Sequence, residues 1–441
     1  MLRMIFVGGL SVAGIYGALY SGFGALLFYL WIGYFRPETW VWDSSLLDAL
    51  DLSFFSGAWL LLRAPFSDGR FRFDLRTGLV FLFLLLSLGS MLTSEYLEYS
   101  QPFWTEFAKT ALVTYVLVSL ITDRTRYRLV MLVMALSLGF EAAKQGWTTL
   151  VFHPGSKNFN PFPTLGDENG VAVFMLMLSV LFIALSQTAT RRWERWTHRF
   201  FAVGVAYRAI STYSRGGFLS AGALVLVWVL RSKQKVRSAV AMAIVGGLVL
   251  SVLPQSFWER MSTIQVADEE QQDDSVRSRL HFWRVALDMT NAHPVLGIGH
   301  NAFNKAYDAY DFSYGRYGAG RSVHSSWFGV LAELGYPAFF VYLSILALAA
   351  FGTESVVRKA KAGKVPAELY HYGVALQTGL AVFLVGGSFV PTQYTEMLWH
   401  WIGLTFALRH VAMESAASQA AEPATVHAAA GFQPAAAARG I

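Results

Sequence analysis

The sequence predicts an all-α membrane protein that crosses the bilayer many times, and three observations lead to this class. Of its 441 residues, 54% are hydrophobic and only 15% are charged, whereas about a quarter of the residues in soluble domains are charged. Apolar stretches long enough to cross a bilayer as helices recur along the chain. The aromatic content of 15% excludes a disordered chain, and the absence of cysteine excludes disulfides, thiolate catalysis and cysteine-ligated zinc.

Eleven apolar stretches are candidates for spanning helices, which usually need roughly 17 to 25 residues. They lie at 47–63, 77–94, 105–122, 129–149, 168–187, 199–211, 216–231, 237–254, 325–352, 369–388 and 394–411. The first 35 residues add either one long, broken span or a short hairpin. If both termini are cytoplasmic, the count becomes about 12 transmembrane helices.

Five segments rich in Lys and Arg set the predicted orientation, because such residues collect in cytoplasmic loops. They lie at 63–76, 124–128, 191–199, 231–237 and 358–364. The net charge of +6 therefore reflects membrane topology rather than nucleic-acid binding. The predicted organisation is an N-terminal transmembrane bundle, a large outer loop, C-terminal transmembrane helices and a flexible cytoplasmic tail, at 1–253, 254–324, 325–411 and 412–441 respectively.

The outer loop at 254–324 is the predicted location of the chemistry. Loops longer than about 12 to 15 residues usually carry function or are disordered, and the helical spacing of apolar residues here predicts a folded cap with short helices. Arg279, Arg284 and Arg321 lie in this loop and break the positive-inside pattern. They are therefore candidates for binding an anion, or alternatively for a solvated surface paired with the acidic run at 268–274.

A second candidate is the turn at 212–217, which reads Thr-Tyr-Ser-Arg-Gly-Gly. The basic segments on either side of it are both predicted to be cytoplasmic, so two short helices must turn at the outer face and place Arg215 there. An arginine between apolar helices is costly unless it meets an anion or a carboxylate. Because neighbouring glycines let backbone N–H groups approach a phosphate, Arg215 is predicted to bind one. Pairing with an acidic side chain is the alternative.

His324 is a candidate general base. It directly precedes the apolar run that begins at Ser325, so its imidazole is predicted to lie at a helix N-terminus, where the helix dipole disfavours the charged form. A neutral histidine can accept a proton. The alternative is an amphipathic anchor at the membrane interface.

No cofactor or metal site is predicted. The acidic run at 268–274 lacks the glycine and final glutamate of a calcium loop, and no His-Glu-x-x-His or Asp-x-Asp pattern occurs. Asp167 is predicted to cap the helix that follows it, which puts Asn169 at the outer end of that helix. Glu141 and Lys144 are predicted to pair on one helix face.

Four motifs between 212 and 337 resemble the signature region of the O-antigen ligase and polymerase superfamily. In chain order they are Ser214-Arg215-Gly216, Arg279-Leu280-His281-Phe282-Trp283, His293-Pro294-Val295-Leu296-Gly297-Ile298-Gly299, and His324 opening a helix that bears Glu333-Leu334-Gly335. Their order and spacing together are fairly specific, although each motif alone is weak.

The resemblance implies an inverting, metal-independent glycosyltransferase with a GT-C-like fold in the bacterial inner membrane. Such an enzyme moves a glycan from an undecaprenyl-pyrophosphate carrier to a lipid A-core sugar hydroxyl at the periplasmic face, in lipopolysaccharide biosynthesis. On this sequence His324 would be the general base, and Arg215 and Arg279 would bind the donor pyrophosphate. Secondary candidates for substrate contact are Arg284, Arg321 and Asn169. The expected partners are the lipid-linked donor, the lipid A-core acceptor and membrane lipids, and not nucleic acid.

Other functions fit parts of the sequence. The stretches at 33–38 and 167–169 resemble an O-glycosylation ligase branch linked to exosortase systems. Polysaccharide polymerases and O-linked protein glycosyltransferases share the His and Arg motifs, but protein-targeted members typically have a larger C-terminal outer domain. A transporter or lipid flippase would explain the spans, yet the two halves show no evident repeat and the outer loop would have no role.

Overall fold

The computed structural model describes residues 2–40, 52–160, 162, 165–232, 234–251, 258 and 274–421. Most of these residues lie in fifteen α-helices, and the described part of the chain has one isolated β-bridge and no strand. In chain order the helices are α1 (Leu2–Tyr20), α2 (Gly22–Phe35), α3 (Leu52–Arg63), α4 (Leu75–Leu92), α5 (Leu97–Leu120), α6 (Arg124–Phe152), α7 (Glu168–Gln187), α8 (Arg192–Ile210), α9 (Arg215–Arg231), α10 (Lys235–Ser251), α11 (Asp274–Ala292), α12 (Phe303–Tyr310), α13 (Ser326–Lys361), α14 (Glu368–Gly386) and α15 (Glu396–Ala421).

Five of the described helices are long and apolar enough to cross a bilayer, namely α4, α6, α7, α13 and α14. Shorter apolar segments lie at 5–20, 22–35 and 52–66. The all-helical architecture is confirmed and agrees with a multi-pass membrane protein. The count of about 12 spans and the GT-C arrangement stay predictions.

The N-terminal 35 residues form the hairpin rather than one long span. Ser21 breaks the helix, and its side chain caps α2 by accepting a hydrogen bond from the backbone N–H of Gly24 at 2.9 Å. Gly17 and Gly24 then face each other so closely that a Cβ on Gly24 would lie 2.1 Å from the Gly17 carbonyl oxygen. The break therefore follows from a capping residue followed by a glycine contact between the two helices.

Helix α7 is the centre of the bundle. It packs against α6, α8, α9 and α14, and 89% of its most apolar 18-residue window is buried. Apart from Ser179, whose hydroxyl bonds the Leu176 carbonyl, its side chains from Val171 to Leu185 are apolar around the whole circumference, as expected for a helix that is surrounded by other helices. The N-terminus of α7 is thereby held in a fixed position.

Helix α13 has a kink, and the turn at 293–299 packs against it. Gly335 has φ of +77° inside this helix, and Pro337 follows two residues later. The turn at 293–299 docks on the kink, where the Tyr336 N–H bonds the Pro294 carbonyl at 2.9 Å and the Ile298 N–H bonds the Ala332 carbonyl at 3.0 Å. A Cβ on Gly297 would lie 2.3 Å from the Glu333 backbone, so only glycine fits there.

Charged residues separate the two ends of the bundle. At one end of the bundle, arginines from the predicted cytoplasmic segments form ion pairs with acidic side chains. The pairs are Arg124–Glu368, Arg126–Asp68, Arg128–Glu194, Arg231–Glu354 and Arg72–Glu414. We call this the basic end. The segments at 153–167, 211–215, 293–325 and 387–396 meet at the other end, which we call the site end. Which end faces the periplasm remains a prediction.

Two predicted domain limits fall near helix ends. The outer loop, 254–324, contains α11 and α12, as its helical spacing suggested, whereas most of its acidic run lies outside the described residues. Helix α15 continues to Ala421, past the limit at 411 where the tail was predicted to begin. Ala412, just past this limit, is still buried, so packing continues beyond 411 and the helix continues with it. Residues 422–441 of the predicted tail lie outside the described residues.

Candidate functional site

The turn that carries Arg215 joins α8 to α9 at the site end, as predicted. Tyr213 has φ of +59°, and its hydroxyl donates a hydrogen bond to the Gly155 carbonyl. Ser214 then caps α9 by accepting a hydrogen bond from the Gly217 N–H at 3.0 Å. Arg215 is the first residue of α9 and is half-buried. Its guanidinium is thus attached to a fixed helix N-terminus, whose dipole favours anions.

Asn169 fastens this turn to the start of α7. The Ser214 hydroxyl donates a hydrogen bond to the Asn169 side-chain oxygen at 2.6 Å. Asp167 caps α7 by accepting the N–H groups of Asn169 and Gly170, each at 3.0 Å, which confirms the predicted cap. Asn169 therefore positions the Arg215 turn relative to Asp167.

His324 lies directly before the N-cap of α13, where Ser325 caps the helix, as the sequence predicted. Its φ of +47° is in the left-handed region that non-glycine residues rarely occupy. Such strained residues concentrate at active sites. The His324 Nδ1 is buried and has no hydrogen-bond partner within the described chain. Nε2 is therefore the nitrogen available to a substrate hydroxyl.

Burial is the largest influence on the His324 pKa and lowers it below the usual value of 6.5. The negative charge of Asp167 opposes this effect, whereas the positive charges of Arg279 and Arg321 reinforce it. Three charged side chains from separate parts of the chain therefore act on one imidazole. The net result is a histidine that is neutral near pH 7 and able to accept a proton.

Phe389 brings Arg279 and the Arg215 turn together. The Arg279 guanidinium lies 5.7 Å from the centre of the Phe389 ring, and a Cβ on Gly216 would lie 3.0 Å from the Phe389 Cβ. Arg279 is half-buried on α11, and a cation over an aromatic face is favourable. Phe389 is thus a shared surface between Arg279 and the residue that follows Arg215.

The segment at 387–392 also fixes the start of α13 behind His324. The Ser326 N–H bonds the Gly387 carbonyl at 2.7 Å, and the Ser326 hydroxyl donates to the Val390 carbonyl at 2.7 Å. Ser326 accepts in turn from the Thr392 N–H at 3.0 Å. One short segment therefore supports both His324 and, through Phe389, Arg279.

The two remaining arginine candidates, Arg321 and Arg284, differ in their relation to His324. Arg321 is exposed, but its charge acts on His324 and its Nε donates to the Tyr317 carbonyl. Arg284 is exposed on α11, and no contact within the described residues joins it to His324 or Arg215. Helical geometry explains why Arg279 and Arg284 differ. Arg279 precedes the buried Phe282 by three residues and therefore lies on the same helix face, whereas Arg284 does not.

A buried hydrogen bond between His281 and Asp311 holds α11 against the loop that follows α12. The His281 Nε2 lies 2.7 Å from the Asp311 Oδ1, and both side chains are almost fully buried. Burial raises the pKa of Asp311, but hydrogen bonds from Ser313, the Gly315 N–H and His281 outweigh it and lower this pKa well below its usual range. Phe282, next to His281, lies with its ring centre 6.0 Å from that of His324. The pair thus orients α11 beside the proposed base.

Glu333 does not contact His324. It instead links α13 to neighbouring segments through hydrogen bonds. It accepts hydrogen bonds from Tyr394 at 2.9 Å and from Gln393 at 3.0 Å, and its backbone carbonyl accepts from Ser90 at 2.6 Å. A buried carboxylate needs such partners. The Glu333-Leu334-Gly335 motif therefore supports the docked turn at 293–299.

The sequence names His324, Arg215, Arg279 and Asn169 as candidates, and two further residues in contact with this region were not predicted. Phe389 lies far from these residues in the chain and belongs to no motif, so no local pattern indicated it. Asp167 was read only as a helix cap, which it is, although its charge also acts on His324. The choice of Arg279 over Arg284 was available from the helical spacing of Phe282 and the residues after it.

The described helices, five of which are long and apolar enough to cross a bilayer, place the chain among multi-pass membrane proteins, and the candidate site combines a strained histidine with neighbouring arginines. Residues 200–343, which include Arg215, Arg279 and His324, match the family model described as O-antigen ligase. Residues 1–185 match a family of unknown function, DUF5935. No curated protein matches the chain. The match at 200–343 supports the O-antigen ligase superfamily for this part of the chain and, with it, glycosyl transfer of the ligase or polymerase type.

Proposed function

We propose that this protein is an O-antigen-ligase-type glycosyltransferase that transfers a glycan from undecaprenyl pyrophosphate to a sugar hydroxyl of the lipid A-core. The observation that carries the proposal is the convergence of Arg279, Arg321 and Asp167 on the imidazole of His324, next to the Arg215 turn. The active site faces the periplasm of the inner membrane, and both termini are cytoplasmic. The basic end supports this orientation, because cytoplasmic loops are enriched in Lys and Arg.

The reaction is a single displacement. The acceptor oxygen attacks the anomeric carbon while Nε2 of His324 takes the hydroxyl proton, so a new carbon–oxygen bond forms. The bond between the anomeric carbon and the pyrophosphate oxygen breaks with its electron pair, and undecaprenyl pyrophosphate leaves. Attack opposite the leaving group inverts the anomeric configuration.

The charges of the site match this chemistry. A glycosyl pyrophosphate already has a good leaving group, so catalysis chiefly needs cations on the departing phosphates and a base for the nucleophile. Arg215 and Arg279 supply guanidinium groups, which stay charged at all relevant pH values and contact phosphate through paired N–H groups. Burial lowers the pKa of His324, and the positive charges of Arg279 and Arg321 reinforce this effect, which favours the neutral imidazole. We propose on this basis that transfer needs no metal ion, nucleotide or other cofactor.

The test is a defined transfer assay. Purified protein receives undecaprenyl-pyrophosphate glycan, lipid A-core and a candidate acceptor protein together, with EDTA present, and the products are separated. We expect a glycolipid as the main product. A longer carrier-linked chain would indicate a polymerase, and a glycoprotein would indicate a protein-targeted enzyme.

Arginine variants on one helix provide matched controls for the assay. Arg279→Ala should lower the transfer rate by about 10²–10³-fold, as expected when a charge-stabilising contact is lost. Arg284→Ala removes the same side chain from the exposed face of α11 and should leave the rate unchanged. Equal rates for Arg279→Ala and the wild type, or flipping of the lipid without transfer, would refute the enzyme assignment.

A further inference from the structure

A second cavity of about 510 Å³ opens at the site end, outside the His324 site. Its walls come from α2, α3, α5, the segment before α7, the turn after Gly299 and the start of α15. This volume lies within the range of small-molecule sites, about 300–1,000 Å³. The cavity joins the part of the chain that matches the family of unknown function to the part that matches the O-antigen ligase family.

The walls combine carboxylates with aromatic rings. Glu106 and Glu396 line the cavity, together with Phe103, Phe107 and Tyr394. Glu396 is held by the Tyr29 hydroxyl, which donates to its Oε1 at 2.9 Å. Gly33 faces the other carboxylate oxygen, because a Cβ there would lie 3.4 Å from Oε2. A fixed carboxylate thus presents one oxygen beside open space.

His300 supplies an independent sign of a polar ligand. Its side chain is fully buried and lines the same cavity, and its ring centre lies 4.0 Å from that of Tyr394. Neither ring nitrogen meets strict hydrogen-bond criteria within the described residues, although the backbone of Phe103 lies close enough to act on the imidazole. His300 is thus a buried polar residue in the cavity wall, and such a residue suits a polar ligand better than an apolar one.

The charges exclude a phosphate ligand here. Arg36, which borders the cavity, pairs with Glu38, and Lys109, beside Glu106, pairs with that carboxylate. The cavity therefore offers hydrogen-bond acceptors and aromatic faces to a ligand rather than cations. A neutral ring with several hydroxyl groups and an apolar C–H face fits this set, whereas the donor pyrophosphate fits the arginines of the His324 site.

Short stretches of chain connect the cavity to the His324 site. Leu165 lines the cavity and Asp167 acts on His324, while Pro391 lines the cavity and Phe389 contacts Arg279. Two residues span at most about 7 Å. The cavity and the His324 site thus share two short segments of chain, 165–167 and 389–391.

We propose that this cavity binds a pyranose unit of the acceptor glycan, with Glu396 accepting hydrogen bonds from its hydroxyl groups. The inference rests on the proposed function and adds to it the place where the acceptor sugar binds. Donor phosphates bind at Arg215 and Arg279, and the acceptor binds at Glu396.

The first measurement is binding without transfer. Calorimetric titration of the purified protein with a lipid-free core oligosaccharide should show binding that Glu396→Gln weakens about tenfold, or about 1.4 kcal/mol. Glu368→Gln, the same change in a surface ion pair at the basic end, should have no effect. No binding by the wild type, or equal binding by Glu396→Gln and the control, would overturn the proposal. Because no transfer is needed, this result is independent of whether His324 is the base.

The second measurement separates acceptor from donor. With saturating donor, Glu396→Gln and Phe103→Ala should raise the acceptor KM and leave kcat and the donor KM unchanged. Phe103 is 42% exposed, so its truncation should not disturb the core. The control is Phe351→Ala, which removes a ring that is 74% exposed and does not line the cavity. A rise in the donor KM alone, or a requirement for a protein acceptor, would overturn the assignment to an acceptor sugar.

Discussion

At the scale of single residues, His324 combines a strained backbone, a buried ring and three charged neighbours. Its positive φ turns the chain directly before the N-cap of α13, and the ring then lies where Asp167 and Arg279 act on it from other elements. Each influence alone is common in proteins. Together they produce a base that is neutral at physiological pH and positioned beside cations that suit a phosphate.

The acid limb of the pH–rate profile should report this histidine. Transfer needs neutral His324, so the rate falls as the pH drops through its pKa, which lies below 6.5. Asp167→Asn removes a charge that raises this pKa, so the acid limb should move to lower pH, and asparagine still caps the helix. Arg321→Gln removes a charge that lowers the pKa, so the limb should move to higher pH. Steady-state transfer rates of the two variants and the wild type between about pH 4 and 9 check both directions. Shifts of the same sign would contradict the assignment.

At the scale of elements, two glycines allow the turn at 293–299 to dock on the kink of α13. Gly335 has φ of +77°, and a Cβ there would lie 2.7 Å from the Pro294 carbonyl oxygen. The docked turn precedes α12 and the loop that ends at His324. The kink therefore sets the position of the loop that carries the proposed base.

Gly335→Ala should lower both thermal stability and activity. The left-handed backbone and the contact with Pro294 predict a cost of about 1–3 kcal/mol. Gly222→Ala on α9 is the matched control, because nothing lies within 4 Å of the Cβ it would add, and a helical alanine is expected to gain about 0.5–1 kcal/mol. Melting temperatures in detergent should thus fall for the first variant and hold or rise for the second. Equal melting temperatures would show that the kink is not needed.

The elements also show what could be predicted from sequence. Helices with an apolar pattern and a capping residue, such as α7 after Asp167 and α9 after Ser214, were predicted within a few residues because their signals are local. The role of Phe389 was not predictable, because it arises from contacts between segments far apart in the chain. The hairpin at 2–35 was left open because Ser21 could either cap a new helix or merely break one.

At the scale of the whole molecule, the two ends of the bundle differ in charge and in role. Ion pairs from the predicted cytoplasmic loops lie at the basic end. The loops that form the candidate site and the cavity beside Glu396 lie at the site end. This separation predicts that the site end faces the periplasm. A membrane thickness of about 30 Å then lies between the two groups of loops.

Orientation can be tested directly because the chain has no cysteine. Tyr314→Cys places a single thiol on a fully exposed residue of the site end, and Lys364→Cys places one on an exposed residue of the basic end. In cells with a permeabilised outer membrane, a membrane-impermeant thiol reagent should label the first variant only. Labelling of Lys364→Cys alone would invert the proposed topology.

The most direct test of the central claim is the single-turnover rate of His324→Ala with donor binding measured in parallel. Loss of a general base predicts a fall of about 10²–10⁴-fold in the rate of glycan transfer, while the donor dissociation constant stays unchanged because Arg215 and Arg279 remain. Transfer at the wild-type rate by His324→Ala would contradict the account, since no other described group beside the arginines would then explain the removal of the acceptor proton.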